Sequence, residues 1–182
     1  MLSLNDLQKS LILPHIRPGT LAADFTMGNG NDTLWLSRQI GPQGCVYAFD
    51  IQPMALENTR KRLAQAGAPD NCRLLCVSHH LADQYIPGRI CAGIFNLGYL
   101  PGADKTLTTK RQTTLEAIRR AIALMDQNAC LLIAVYPGHE EGRLEGEAIE
   151  RMLAPLPQKQ FSVGKFRLIN SPSAPYFYLI EN

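Results

Sequence analysis

Between an apolar run and a helical stripe, the segment Asp24-Phe25-Thr26-Met27-Gly28-Asn29-Gly30-Asn31-Asp32-Thr33 gathers two glycines, two carboxylates and two carboxamides. A strand that turns through glycines into a helix lets backbone approach a ligand closely. The helix start then offers unpaired N–H groups and partial positive charge to an anionic group. Asp50 lies at the tip of the next apolar run, 20 residues after Gly30. A carboxylate at that spacing accepts hydrogen bonds from both hydroxyls of a ribose; its structural alternative is to cap the helix that begins near Pro53. Gln52 could serve the same ribose or an adenine edge. Asn96 closes a further apolar run, where its amide could hold and aim an amine or simply satisfy a turn.

These groups need a scaffold that brings them together. Leu4, Leu7, Leu11 and Ile12 form a helical stripe in an N-terminal segment over residues 1–18, capped by Ser3 or Asn5. The pattern then predicts strands over Thr20–Phe25, Cys45–Phe49, Arg73–Val77, Cys91–Phe95 and Cys130–Val135. Helices are predicted over Asp32–Ile40, Met54–Ala66, Thr109–Met125 and Glu145–Leu153. Gln160–Ile169 and Tyr176–Ile180 could pair as a closing hairpin. Apolar strands alternating with helices give an α/β fold, a mostly parallel sheet covered on both faces, in one domain over residues 1–182. In such sheets ligands bind at the carboxyl ends of the strands, where Asp24, Asp50, Ser78, His79, Asn96 and Tyr136 are all expected.

A dinucleotide loop would carry a third glycine at Thr33. Here an acidic residue instead precedes the glycines by four, which resembles the first motif of class I S-adenosylmethionine-dependent methyltransferases, with Thr26 at a position usually glycine. The fuller set, Asp24 to Thr33 with Phe49-Asp50-Ile51-Gln52, Ser78-His79 and Phe95-Asn96-Leu97-Gly98-Tyr99-Leu100-Pro101-Gly102 followed by Asp104-Lys105, resembles a small bacterial family long labelled rRNA methylases. That family is associated with methylating the 5-aminomethyl group of 2-thiouridine at the tRNA wobble position. His80, where an acidic residue is expected, and Pro137, where relatives often carry His, depart from its pattern.

The resemblance implies a Rossmann-like class I fold with a seven-stranded sheet. It implies S-adenosyl-L-methionine as cofactor and the tRNA anticodon loop as partner. It places Asp24, Thr26, Gly28, Asn29, Asn31, Asp32, Thr33, Asp50, Gln52, Ser78 and His79 on the cofactor, with Asp24 facing its ammonium. Asn96, Tyr99 and His139 become the catalytic candidates, and Gly98, Asp104, Lys105 and Tyr136 the substrate-binding ones. Asn96-Leu97-Gly98-Tyr99 looks like the Asn-Pro-Pro-Tyr motif of amino-directed methyltransferases, in which the Asn holds the amine and the Tyr packs on the base. Transfer from a sulfonium to an amine is an in-line displacement, so the protein must present an unprotonated lone pair. His79 or His139 could take the proton of an alkylammonium.

The remaining features set bounds. A net charge of +2 is modest for a nucleic-acid binder. Lys105, Lys110 and Arg111 could meet phosphates, a homodimer would enlarge the surface, and Arg60-Lys61-Arg62 reads as a solvated face. Trp35 reads as core. Five scattered cysteines suit free, buried thiols in a reducing compartment, without a metal site. No apolar run reaches the ~20 residues of a membrane helix and no signal peptide opens the chain, so a cytoplasmic location is expected. A methyltransferase acting on rRNA or a small amine, a nicotinamide-dependent oxidoreductase and a non-catalytic cofactor binder are the alternatives. Hydride transfer has no use for an amine-holding Asn.

Overall fold

The computed structural model describes residues 3–98, 110–138 and 140–182. Helix α1 (Leu4–Ile12) begins at Ser3, whose hydroxyl accepts the Asp6 N–H at 3.2 Å. There follow β1 (Leu21–Asp24), α2 (Asn31–Ile40), β2 (Cys45–Phe49), α3 (Pro53–Gln65) and β3 (Cys72–Leu75). A short 3-10 helix (His79–Gln84), β4 (Ile90–Asn96), α4 (Arg111–Leu124), β5 (Met125–Val135), α5 (Glu140–Leu153), β6 (Ser162–Phe166) and β7 (Tyr176–Glu181) complete it.

The seven strands form one sheet in the order β3-β2-β1-β4-β5-β7-β6. The first five run parallel, and β7 enters antiparallel between β5 and β6. The order reverses between β1 and β4, so the carboxyl ends of those two strands flank the crevice in which open α/β sheets bind ligands.

Side chains alternate across the strands and build two cores. On one face Phe25, Phe49, Phe95 and Leu131 pack with Ile118 of α4 and Ile149 of α5. On the other Val46, Cys91 and Leu132 pack with Ile12, Leu36 and Ile40. Phe25 stacks on Phe95 with ring centroids 4.2 Å apart, and on Phe49 at 6.0 Å. These rings lock together the tips of β1, β2 and β4, where each aromatic pair adds about 0.5–1.5 kcal/mol beyond its buried area.

Several boundaries differ from those expected. β5 begins at Met125, ahead of a polar Asp126-Gln127-Asn128 stretch in which Asn128 has a positive φ of 55°. α5 starts at Glu140, upstream of two glycines that weaken its helical signal. Cys76 is exposed rather than buried. Trp35 is partly buried against the second core, with the Lys9 ammonium 5.8 Å above its ring. Among the described residues, no helix is long and apolar enough to cross a membrane.

Candidate active site

The glycine loop is held from three sides. Gly28 and Gly30 have φ of 50° and 77°, backbone that a side chain would strain. At Gly30 space is missing as well, since an added Cβ would lie 2.9 Å from the Thr59 Cα. The Met27 N–H donates to the Phe49 carbonyl at 2.9 Å, fastening the loop to β2. Helix α3 holds it from above: Asn58 Nδ2 donates to Asn29 Oδ1 at 2.9 Å, Thr59 Oγ1 to the Gly28 carbonyl at 3.2 Å, and Arg62 Nε to the Asn29 carbonyl at 2.5 Å. Arg62 therefore belongs to the loop's support and not to a solvated basic face. Asn58 and Arg62 sit four apart on one face of α3, a spacing visible in the sequence but not connected there to the glycines.

Three carboxylates converge on this loop. Asp24, at the end of β1, is 1% exposed; it accepts the Thr33 hydroxyl at 2.6 Å and the Thr26 N–H at 3.2 Å. Burial, with the like charges of Asp32 and Asp50 nearby, pushes its carboxyl up to about 7. Asp50 accepts the Gly28 N–H at 3.1 Å and the Gln52 N–H at 3.0 Å, and burial raises it too. It thus clips the loop to the end of β2, while the N-cap of α3 is Gln52 itself. A carboxylate has about four lone-pair positions, so Asp50 keeps acceptor capacity beyond these backbone bonds. Thr33, expected to contact a ligand, is instead fully buried against Asp24.

The start of α2 is open. Its N-cap is Gly30, with no side chain to satisfy the first-turn N–H groups of Asn31 and Asp32. An acidic centre beside an uncapped helix start fits a ligand bearing cationic groups and a carboxylate, as an adenosylated amino acid does.

Asn96 ends β4 directly across from the loop. Its backbone N–H donates to Thr26 Oγ1 at 2.7 Å and its side-chain Nδ2 to Asp32 Oδ2 at 2.7 Å. Asp32 Oδ1 lies 3.9 Å from Lys9 Nζ of α1. Tyr136, after β5, is 44% exposed, and partial burial and the Asp32 charge both raise its phenol. Gly98 adopts a φ of 136° just beyond β4. Ser78 stands at the N-cap position of the 3-10 helix without a side-chain capping bond, and its hydroxyl lies 2.8 Å from His80 Nδ1 instead.

His79 is a buried neighbour of the site rather than an open base. Its Nδ1–H donates to the Phe25 carbonyl at 3.1 Å, its ring lies edge-on to Phe95, and burial pushes it down to about 4. Tyr99, Asp104, Lys105 and His139, expected on the acceptor side, lie outside the described residues. Lys110 and Arg111 are exposed at the start of α4.

Comparison with known proteins places this geometry. The family model described as "Putative rRNA methylase" matches residues 46–181. The chain belongs to that family. Relatives include the chloroplastic tRNA (mnm(5)s(2)U34)-methyltransferase of Arabidopsis thaliana, 36% identical over 170 residues, 88% of this chain. The chain spans 62% of that relative's length. A solved family structure from Clostridium thermocellum is 34% identical, with a TM-score of 0.94 over 100% of this chain and 97% of that one. A structure described as "a putative methyltransferase" from Streptococcus mutans, in complex with SAH, is 34% identical with a TM-score of 0.90, over 100% of this chain and 98% of that one. An O-methyltransferase from Streptomyces achromogenes shares only 14% identity over 100% of this chain and 81% of its own, at a TM-score of 0.74. The architecture is the class I methyltransferase fold, a seven-stranded, mostly parallel sheet with an antiparallel C-terminal hairpin.

Proposed function

We propose that the chain transfers a methyl group from S-adenosylmethionine to the exocyclic amine of 5-aminomethyl-2-thiouridine at the tRNA wobble position. The observation that carries this reading is Asn96. It sits at the topological switch point beside the glycine loop, with its amide N–H bonded to a carboxylate and its carbonyl left as an acceptor. A carbonyl there accepts an N–H of an incoming amine and aims its lone pair. The 36% identity to a relative named for the same wobble nucleotide supports that acceptor.

S-adenosylmethionine supplies an electrophilic methyl group on a sulfonium. In this reading Asp24 faces its ammonium, the open first turn of α2 its carboxylate, and Asp50 its ribose hydroxyls. Asn96 holds the acceptor amine in line, which accounts for much of the rate through positioning. Tyr136 packs on the base, with Lys110 and Arg111 near backbone phosphates. The attacking nitrogen forms a C–N bond as the C–S bond breaks; the electron pair stays on sulfur, and the nitrogen's extra proton passes to solvent.

Mass spectrometry of nucleosides in tRNA from a strain lacking the protein tests the assignment. Accumulation of the unmethylated aminomethyl nucleoside is expected. An unchanged tRNA profile, with a methyl group missing from rRNA instead, would overturn the tRNA acceptor.

A further inference from the structure

Asp32 was expected on the cofactor because it lies in the first turn of α2, beside the glycines. Its contacts point elsewhere. One oxygen accepts Asn96 Nδ2 at 2.7 Å, from a strand end 64 residues away in sequence. The other lies 3.9 Å from Lys9 Nζ on α1, the same ammonium that sits 5.8 Å from the centre of the Trp35 ring. The Asp32 and Lys9 side chains are 21% and 28% exposed, so the cluster sits at the rim of the crevice, partly shielded from water.

An asparagine amide can present either end to a ligand, and the two ends have opposite hydrogen-bonding character. A carboxylate accepts only. With Asp32 ionised, the NH2 end of Asn96 must face it and the carbonyl must face away. The backbone of Asn96 is pinned independently by Thr26 Oγ1 at 2.7 Å, so rotation of the side chain is the freedom left to be removed. An NH2 group turned toward the acceptor would clash with amine hydrogens or divert the lone pair that must attack.

We infer that Asp32 is a positioning residue that fixes which end of the Asn96 amide meets the acceptor amine, with Lys9 bearing on the same carboxylate. This deepens the proposed amine methylation and rests on it. α1 thereby joins the site, because Lys9 places a cation on the carboxylate that orients Asn96. That cation also limits the tendency of Asp32 to hold a nearby alkylammonium in its unreactive, protonated form.

A double-mutant cycle tests the coupling, with turnover measured on tRNA and cofactor affinity by calorimetry. Asp32→Ala should lower kcat by about 10- to 100-fold and leave the affinity for S-adenosylmethionine within about twofold. In an Asn96→Ala background the same substitution should cost no more than about twofold, since no amide remains to orient. Asp32→Asn keeps the shape and can still accept from Asn96, so it should recover part of the lost kcat. A raised cofactor Kd with unchanged kcat would make Asp32 a cofactor ligand and overturn the inference. An equal loss in both backgrounds would overturn it as well.

A readout independent of turnover is the side-chain amide resonance of Asn96, identified by its disappearance in Asn96→Asp. One of its two protons should lie downfield in the native protein and return upfield in Asp32→Ala. An unchanged resonance would show that the bond is absent. Native protein that transfers no methyl group to tRNA would count against the proposed function, while the resonance would still decide the role of Asp32.

Discussion

The hydroxyl of Thr26 accepts the backbone N–H of Asn96 at 2.7 Å, joining the glycine loop to the tip of β4 across 70 residues of sequence. This accounts for a threonine where class I loops usually carry glycine: the position supplies an acceptor to the strand end that bears Asn96. Thr26→Val keeps the shape and removes the acceptor, leaving a part-buried N–H without its partner. A loss of about 1–3 kcal/mol in stability is expected, together with a fall in turnover, whereas Thr26→Ser should preserve both. Thermal melts and initial rates on the two variants check it, and a Thr26→Val protein as stable and active as the native one would remove the role.

Cofactor binding should depend on pH through Asp24. Its carboxyl sits near 7 because it is buried among like charges, so a large share of the empty protein carries a proton there at neutral pH. A ligand ammonium favours the ionised form. Affinity should therefore weaken as pH falls below 7, by up to about tenfold per unit, and binding at pH 7 should release about half a proton. Calorimetry in two buffers of different ionisation enthalpy measures that proton, and Asp24→Asn should abolish it.

Folding stability should show two opposed pH dependences. Asp24 is raised from 3.8 to about 7, so the folded chain keeps a proton that the unfolded chain releases. Its contribution is complete below 3.8 and is lost as pH rises toward 7. His79 is lowered from 6.5 to about 4, so its contribution is complete above 6.5 and is lost as pH falls toward 4. Across the shared window the slopes offset one another. Denaturant titrations from pH 4 to 6.5 should find Asp24→Asn gaining stability with rising pH relative to the native protein, and His79→Gln losing it.

Gly30→Ala should destabilise by about 2–4 kcal/mol, combining left-handed backbone strain with overpacking. The new methyl group would press on the Thr59 backbone, which cannot yield as a side chain tip would. A loss of stability in urea titrations of less than half that size would mean that α3 moves freely away from the loop.

Local pattern revealed the elements, because most strands are continuous apolar runs and each early helix has a stop signal such as Gly41-Pro42. It revealed Asp24, Asp50 and Asn96 as strand-end polar residues for the same reason. What it missed depends on partners distant in sequence. Thr33 and Asp32 are neighbours in the chain, yet one turns inward to Asp24 and the other across to Asn96. No periodicity distinguishes them. Arg62 looked solvated because a run of cations resembles a helix surface; only the folded chain brings its guanidinium to Asn29. His79 looked available because it follows a strand, but the 3-10 helix folds it beneath the Phe25 carbonyl.

The insertion of β7 between β5 and β6 has a consequence for synthesis on the ribosome. β5 is made well before its antiparallel partner, which spans Tyr176–Glu181. Until those residues emerge, the apolar Cys130–Val135 stretch of β5 has an unpaired edge, a template for stray pairing in a nascent chain. The same late residues close the clasp at the other end of the chain, because Glu181 Oε1 lies 3.0 Å from His15 Nε2, just after the helix that carries Lys9. The segment behind α1 is thus fastened in two stages: His15 and Arg17 meet Asn128, Gln127 and Asp126 once the start of β5 is made, and Glu181 only after β7 has followed.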